Sequence, residues 1–356
     1  MTYGNLMEHA ELERRFLAQE EFLGNDKPVN RIEPVVSVCV VTYQQAHLIG
    51  QCLDGILMQE TSFPFEIILG EDESADGTRE ICMDYARRHP DRIRLFLRSR
   101  ALSNFSAHGM TKRLNGVWTR RSARGRYVAL CEGDDYWTAP DKLQKQVDFL
   151  EAHPECSMCF HNALVVKEGS PESSQPAHAN DRMLPLYDVY DLLREMFICT
   201  ATIAFRRSAL VQPPPSWWYR MPMGDWPLAL LVTQNGRVGY LPDTMSVYRM
   251  HSGGIWSPMS RYRQLEQTAV AFEVILTEFA PTLPEPERAI SVVHCAALDA
   301  YREMGRWRPA LRHARAVPSY ALRLSLSRAR AWLSDLSRAH WPWLWEMVRK
   351  LKIRPF

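Results

Sequence analysis

The chain has 356 residues, of which 46% are apolar, 24% charged and 10% aromatic, and its formal net charge is +2. That profile excludes a disordered polar chain, a collagen-like repeat and a small disulfide-stapled scaffold, and leaves a globular protein with a large core. No apolar run approaches the roughly 18 residues of a membrane span, and the charged start MTYGNLMEHAELERR lacks the features of a secretory signal, so a cytoplasmic location is expected. The near-neutral total conceals an asymmetry: from residue 301 onward there are 13 Lys and Arg against 3 Asp and Glu, which leaves 30 against 38 for residues 1–300.

Residues 1–34 read as a helical arm and linker, with Leu6, Leu12, Phe16, Leu17 and Phe22 at near-helical spacing before NDKPVNRIEP stops the helix. Val35 to Thr42 is a β-branched run suited to a strand buried on both faces, and AHLIGQCLDGILMQE after it is an amphipathic helix. Phe65–Leu69, Ile93–Leu97 and Tyr127–Cys131 read as further strands, and Thr78–His89 and Asp141–His153 as helices. This alternation predicts an α/β fold with parallel βαβ units. Ser157–Val166 reads as another strand, residues 168–182 as a polar loop, and short strands follow at Thr202–Phe205, Val238–Leu241 and Ser246–Tyr248. From about residue 261 only helical periodicity remains, so residues 259–356 are expected to form a basic helical appendage to a domain spanning 35–258, with halves 35–155 and 156–258.

The eight cysteines show no framework, and several lie in apolar runs, as reduced buried thiols do. His153, Cys156, Cys159 and His161 have ligand-like spacing, but a zinc site needs a second pair that the sequence lacks, and CSMCFHNALVV reads as a strand.

In an open α/β sheet the ligand site lies beyond the carboxyl ends of the strands. The segments found there are Thr42-Tyr43-Gln44-Gln45 after the first strand, Glu71 to Thr78 after the second and Glu132-Gly133-Asp134-Asp135 after Tyr127–Cys131. Carboxylates crowded at adjacent strand ends repel unless a cation holds them, and a divalent metal carrying a diphosphate meets that need. Neither GxxxxGK[ST] nor GxGxxG follows any strand.

PVVSVCVVTYQQ, FEIILGEDESADGT and RGRYVALCEGDDYWTAPDKLQKQVDFLE, in this order and spacing, resemble the nucleotide-sugar-binding half of a family 2 glycosyltransferase with the GT-A fold. Weaker similarity continues through Met223-Gly224-Asp225-Trp226 and Val247-Tyr248-Arg249-Met250-His251, so the resemblance covers about residues 35–255. It implies a GT-A-like, Rossmann-type and mostly parallel sheet flanked by helices. It also implies that Thr42, Tyr43 and Asp72 face the nucleoside, and that Glu132, Asp134 and Asp135 stand in the place of the family's Asp-x-Asp signature. Glu132 departs from that pattern by replacing the first Asp. Asp134 is then the expected ligand of Mg2+ or Mn2+, joined by Asp135 and His251; Glu132, Asp135 and His251 also adjoin the nucleotide sugar, and Asp225 is the base that deprotonates the acceptor.

The implied activity is metal-dependent, inverting transfer of a sugar from a nucleoside diphosphate to an acceptor glycan or lipid-linked glycan, in glycan or surface polysaccharide synthesis. A nucleotidyltransferase and a non-catalytic binding protein are the alternatives. No nucleic-acid partner is expected. Trp341, Trp343 and Trp345 beside Arg349, Lys350, Lys352 and Arg354 suit either peripheral contact with the inner, anionic membrane face or a plain helical subdomain. Asp76 reads as a turn or cap residue, and Asp225, before Trp226-Pro227 and an apolar helix, also has the look of an N-cap.

Overall fold

A computed structural model describes residues 3–107 and 110–316. The chain divides into two compact units, Met1–Val274 and Ile275–Phe356. The first contains a ten-stranded sheet and a separate hairpin. Its strands are β1 (Val36–Thr42), β2 (Phe65–Glu71), β3 (Ile93–Leu97), β4 (Asn104–Ala107), β5 (Met110–Arg113), β6 (Tyr127–Glu132), β7 (Tyr136–Trp137), β8 (Cys156–Lys167), β9 (Ser170–Pro176), β10 (Leu186–Tyr187), β11 (Ala204–Arg206) and β12 (Arg237–Met250).

The main path is β10-β12-β8-β11-β6-β1-β2-β3, with β7 on β12 and β9 on β8; β4 and β5 form the hairpin. β6, β1, β2 and β3 are mutually parallel, as the alternating pattern predicts, so Thr42, Glu71, Leu97 and Glu132 end on one edge. Beyond β6 the sheet is mixed. β11 is antiparallel to both β6 and β8, while β12 is parallel to β8.

The two faces of the parallel half are built differently. Val36, Val38, Val40, Phe65, Ile67, Leu69, Tyr127, Ala129 and Cys131 point into an apolar core closed by helices Ile49–Leu57, Thr78–Arg88 and Lys142–Ala152. The opposite face lies under helix Asn115–Arg121 and sets a polar network beside buried apolar residues such as Ile68, Val128 and Leu130. There the fully buried Glu66 accepts from Ser37 Oγ at 2.6 Å and from Arg124 Nη2 at 2.6 Å, with Arg94 at 3.3 Å. Nearer the carboxyl edge, Arg98 Nη1 donates to Asn115 O and Thr119 Oγ1, both at 2.6 Å, and Asn115 Nδ2 donates to Gly70 O at 2.9 Å. Gly70 is required by this contact, because a Cβ there would lie 2.5 Å from Thr119 Oγ1.

The N-terminal arm forms helix Tyr3–Leu17 and a 3-10 turn, Pro28–Arg31. Glu13 pairs with Arg121, and Gln19 Oε1 accepts from Arg98 Nε at 2.8 Å. Two departures from the sequence reading stand out. Residues 168–182 contain β9, a polar edge strand whose lack of apolar alternation hides it. The two short strands expected at 238–241 and 246–248 are one long strand, β12, whose register against β8 shifts between Leu241 and Ser246, around Pro242.

In the second unit, helices Pro286–Glu303 and Trp307–Ala316 follow a π turn at Ile275–Phe279. His294 Nδ1 and His313 Nδ1 lie 2.9 Å apart, and Tyr301 stacks on His313. The expected tryptophan-rich basic tail, including Trp341, Trp343 and Trp345, lies outside the described residues. Among the described residues no helix is long and apolar enough to cross a membrane.

None of the eight cysteines forms a disulfide, and Cys156 and Cys159 are buried in β8. His161 is buried with them and bonds Asn162 O, whereas His153 stacks on Phe149.

Lys142 is the costly member of the apolar core. Its ammonium is fully buried, bonds Gln146 Oε1 at 2.6 Å and lies 3.7 Å from the Trp137 ring centroid. Burial lowers it from 10.5 to about 7. A folded value below the unfolded one means that the penalty is absent above pH 10.5, builds as pH falls and is complete near 7. Wild-type stability should therefore rise from pH 7 to 10 relative to Lys142→Met. The difference in denaturant midpoints should change by the equivalent of about 3 kcal/mol, and a constant difference across that range would contradict the assignment.

Candidate active site

The edge where the parallel strands end gathers the polar segments singled out in the sequence. β1 and β2 are tied there by Asp72 N donating to Thr42 O at 3.1 Å. Asp72 is buried, and its Oδ1 accepts from Ser103 Oγ at 2.9 Å. Thr42 Oγ1 bonds Gln45 Oε1 at 2.8 Å, and the Tyr43 ring carries the Arg100 guanidinium 3.9 Å from its centroid. Asp76 accepts from Ala46 N, Thr78 N and Thr78 Oγ1, so it fastens the β2 loop to the β1 loop and to the next helix. Burial alone would push Asp76 up, but these donors hold it below the usual carboxylate range. Glu71 faces the other side, where Arg79 Nε lies 2.5 Å away.

The turn after β6 passes close beside Thr42. Gly133 N donates to Val41 O at 2.9 Å, and a Cβ on Gly133 would lie 2.8 Å from Thr42 Oγ1 and 2.5 Å from Gln45 Oε1. Only glycine fits between the two loops. The flanking carboxylates converge: one ligand oxygen from each of Glu132, Asp134 and Asp135 lies within 4.8 Å of the others. Among the described residues this is the group with the geometry of a metal centre. Burial raises Glu132 well above the usual range, reinforced by the charges of Asp134, Asp135 and Asp225. Burial likewise raises Asp135, with Asp134 adding to it.

β12 holds this turn from the other side. Arg249 N donates to Asp135 Oδ1 at 2.9 Å, Arg249 Nη1 donates to Asp134 O at 2.8 Å, and its guanidinium lies 4.4 Å from the Tyr136 ring centroid. Arg249 Nη2 also donates to Gln51. His251 Nε2 sits 3.1 Å from Asp134 Oδ2. Asp135 Oδ2 is buried without a hydrogen-bond partner.

Asp225 opens helix Asp225–Thr233, and Gly224 occupies the cap position. Its Oδ1 accepts from Trp226 N at 2.8 Å. Burial raises Asp225, opposed by the Trp226 N–H and by Arg120. The Trp226 indole donates to Leu192 O at 2.7 Å, and Trp217 and Trp218 are buried, so all three tryptophans are packing residues.

The structure thus brings Thr42, Asp72, Glu132, Asp134, Asp135 and His251 to one edge, with Asp225 in electrostatic range of Glu132. Sequence reasoning passed over Arg249, Arg98, Arg100 and Arg120. Arg98 and Arg100 had a usable signal, since both follow a predicted strand on the ligand edge, and Arg249 lies in the segment that ends at His251.

Residues 37–212 match the protein-family model described as Glycosyl transferase family 2. The Mycobacterium tuberculosis protein Rv1520 is 40% identical over 222 residues, which is 62% of this chain and 60% of that protein, so the chain matches less than two thirds of this relative's length. Among solved structures, S. aureus TarS 1-349 in complex with UDP-GlcNAc superposes with a TM-score of 0.59 at 17% identity, over 88% of this chain and 90% of that one. The mannosyltransferase PcManGT of Pyrobaculum calidifontis, solved with GDP-Man and Mn2+, gives 0.51 at 22% identity, over 98% and 93%.

The raised carboxyls have a stability consequence. A carboxylate lifted in the fold costs nothing below its unfolded value, and the cost builds as pH climbs toward the folded one. In chelator-treated protein, Glu132→Gln should melt higher than wild type at pH 7.5, and the gain should vanish near pH 4. A lower melting temperature at pH 7.5 would show that Glu132 is held by attraction and not by repulsion. With the acidic turn at the ends of parallel strands, residues 37–212 form a glycosyl transferase family 2 domain, on a GT-A-like fold.

Proposed function

We propose that this chain transfers a sugar, with inversion, from a nucleoside diphosphate donor to an acceptor hydroxyl, using Mg2+ or Mn2+ held by Asp134 with Asp135, Glu132 and His251. The observation that carries this reading is the convergence of three carboxylates within 4.8 Å at the end of β6. The donor set is chemically suited to a hard divalent cation, being oxygen-rich, and the partnerless Asp135 Oδ2 has one more bond to make. When bound, such a cation offsets the charge that grows on the leaving diphosphate.

The remaining roles belong to the protein. Thr42, Tyr43 and Asp72 line the place for the nucleoside, beside the strand ends they cap. Glu132, Asp135 and His251 adjoin the diphosphate and sugar. Asp225 takes the proton from the acceptor hydroxyl on the opposite face of the sugar, and displacement without an enzyme nucleophile inverts the anomeric centre. Arg120 and the Trp226 N–H favour the ionised carboxylate that this step needs, against burial. The ligands named for TarS and PcManGT, UDP-GlcNAc and GDP-Man with Mn2+, support a nucleotide sugar as donor class. The acceptor we propose is a glycan or lipid-linked glycan, in surface polysaccharide synthesis, met at the membrane face through the basic tail. A nucleotidyltransferase fits less well, because the loop after β1 is TYQQ and offers no glycine-rich, basic cradle for a triphosphate.

Two substitutions test this reading. Asp134→Ala should abolish metal-dependent binding of a nucleoside diphosphate in calorimetry while the protein stays folded, and unchanged affinity would remove Asp134 from the metal site. Asp225→Asn keeps the hydrogen bond from Trp226 N but cannot accept a proton. It should retain its melting temperature and donor affinity and lose on the order of a hundredfold in turnover. Near-normal turnover would leave Asp225 a purely structural residue.

A further inference from the structure

Helix Asn115–Arg121 and the turn after it carry four arginines, and three of them have evident uses. Arg121 pairs with Glu13, and Arg124 pairs with Glu66. Arg126 pairs with Glu151. Arg120 is different: it is half-buried, and among the described residues no acceptor is hydrogen-bonded to its guanidinium. It remains a cation at neutral pH, since burial lowers it only to about 10.

Its position is built by its neighbours. Gly116, one turn earlier, leaves the necessary room, because a Cβ there would lie 3.2 Å from Arg120 Nη1. The Trp218 ring centroid is 5.6 Å from the guanidinium carbon. Leu228 and Leu231, on the helix that Asp225 opens, line the same recess as Arg120.

Strand alternation fixes which carboxylate it faces. Tyr127, Ala129 and Cys131 point into the apolar core, so Glu132 points to the opposite face, the one covered by helix Asn115–Arg121. Cys39 Sγ, on that same face of β1, contacts Thr119 O at 3.7 Å. Glu132 and Asp225 each act electrostatically on Arg120, yet neither bonds it. A guanidinium with five donors, in electrostatic range of two carboxylates and bonded to neither, can still take a group rich in oxygen.

We propose that Arg120 is a substrate-binding residue at the junction of the donor and acceptor subsites, donating hydrogen bonds to oxygens of the sugar that lies between Glu132 and Asp225. The proposal rests on the glycosyl-transfer reading and adds a residue to it. The diphosphate belongs on the far side of the acidic turn, beside Asp134 and His251, so Arg120 meets the sugar and not the nucleotide. A sugar oxygen bonded to a charged donor contributes more than a neutral contact would.

The test uses the full chain with Mn2+ and compares Arg120→Met and Arg120→Lys with wild type. Calorimetry with UDP and GDP is set against UDP-glucose, UDP-GlcNAc and GDP-mannose. Arg120→Met should not lower the melting temperature of the ligand-free protein, and its affinity for UDP and GDP should stay within about twofold. The nucleotide sugar that wild type prefers over its bare nucleotide should lose about tenfold in affinity, with partial recovery in Arg120→Lys. A lowered melting temperature in both variants would make Arg120 a structural brace and overturn the proposal. So would an equal loss for bare nucleotide and nucleotide sugar, or an unchanged ratio between them. Wild type that binds neither UDP nor GDP would overturn the glycosyl-transfer reading itself, and this proposal with it.

Discussion

Glu132, Asp134 and Asp135 place three carboxyl groups within 4.8 Å of one another at the end of a buried strand, and the unit is arranged around containing that repulsion. β12 supplies the restraint. Its backbone N–H at residue 249 bonds Asp135, the Arg249 guanidinium reaches the Asp134 carbonyl, and His251 stands against the Asp134 carboxylate. For those contacts to exist, β12 must run along β8 for most of its length and still meet the short strand β7, and the register shift around Pro242 lets it do both. The close fit of Gly133 against Thr42 completes the restraint by seating the turn directly on β1.

Charge is also distributed unevenly through the sheet. One face is an ordinary apolar core, whereas the other buries Glu66, Arg98, Asn115 and Thr119 under a single short helix. Buried ions stabilise little when replaced as a set but cost several kcal/mol when one partner is removed, which makes such networks brittle and specific. The N-terminal arm, which lies ahead of the family match, contributes to the same network through Gln19 and Glu13. It helps fix the helix that carries Arg120.

Much of this was legible in the sequence because the informative patterns were local. β-branched runs such as Val36–Val41 can hardly be anything but buried parallel strands, and acidic clusters at their ends point to a cation site whatever the family. Asp76 was readable as a turn or cap residue from its place before Gly77 and Thr78. What stayed hidden depended on distance along the chain. Arg249 is an unremarkable basic residue until β12 is laid beside the turn at 134–135, and β9 looks like a loop because an exposed edge strand needs no apolar face. Arg120 sits in a run of arginines whose partners lie as far away as residue 13, so its lack of one has no local trace.

The contacts that restrain the acidic turn span 114 to 117 residues of sequence. On the ribosome, therefore, the turn is made long before anything exists to hold it. At the synthesis rates of about 5–20 residues per second, the carboxylates wait several seconds or more for Arg249 and His251. During that interval the parallel half can already pair, since β1, β2, β3 and β6 are all complete by residue 132. The nascent chain thus passes through a stage in which the loops after β1 and β2 are in place and the acidic turn is still unrestrained. The last strand of the sheet to be made is also the one that closes on the acidic turn.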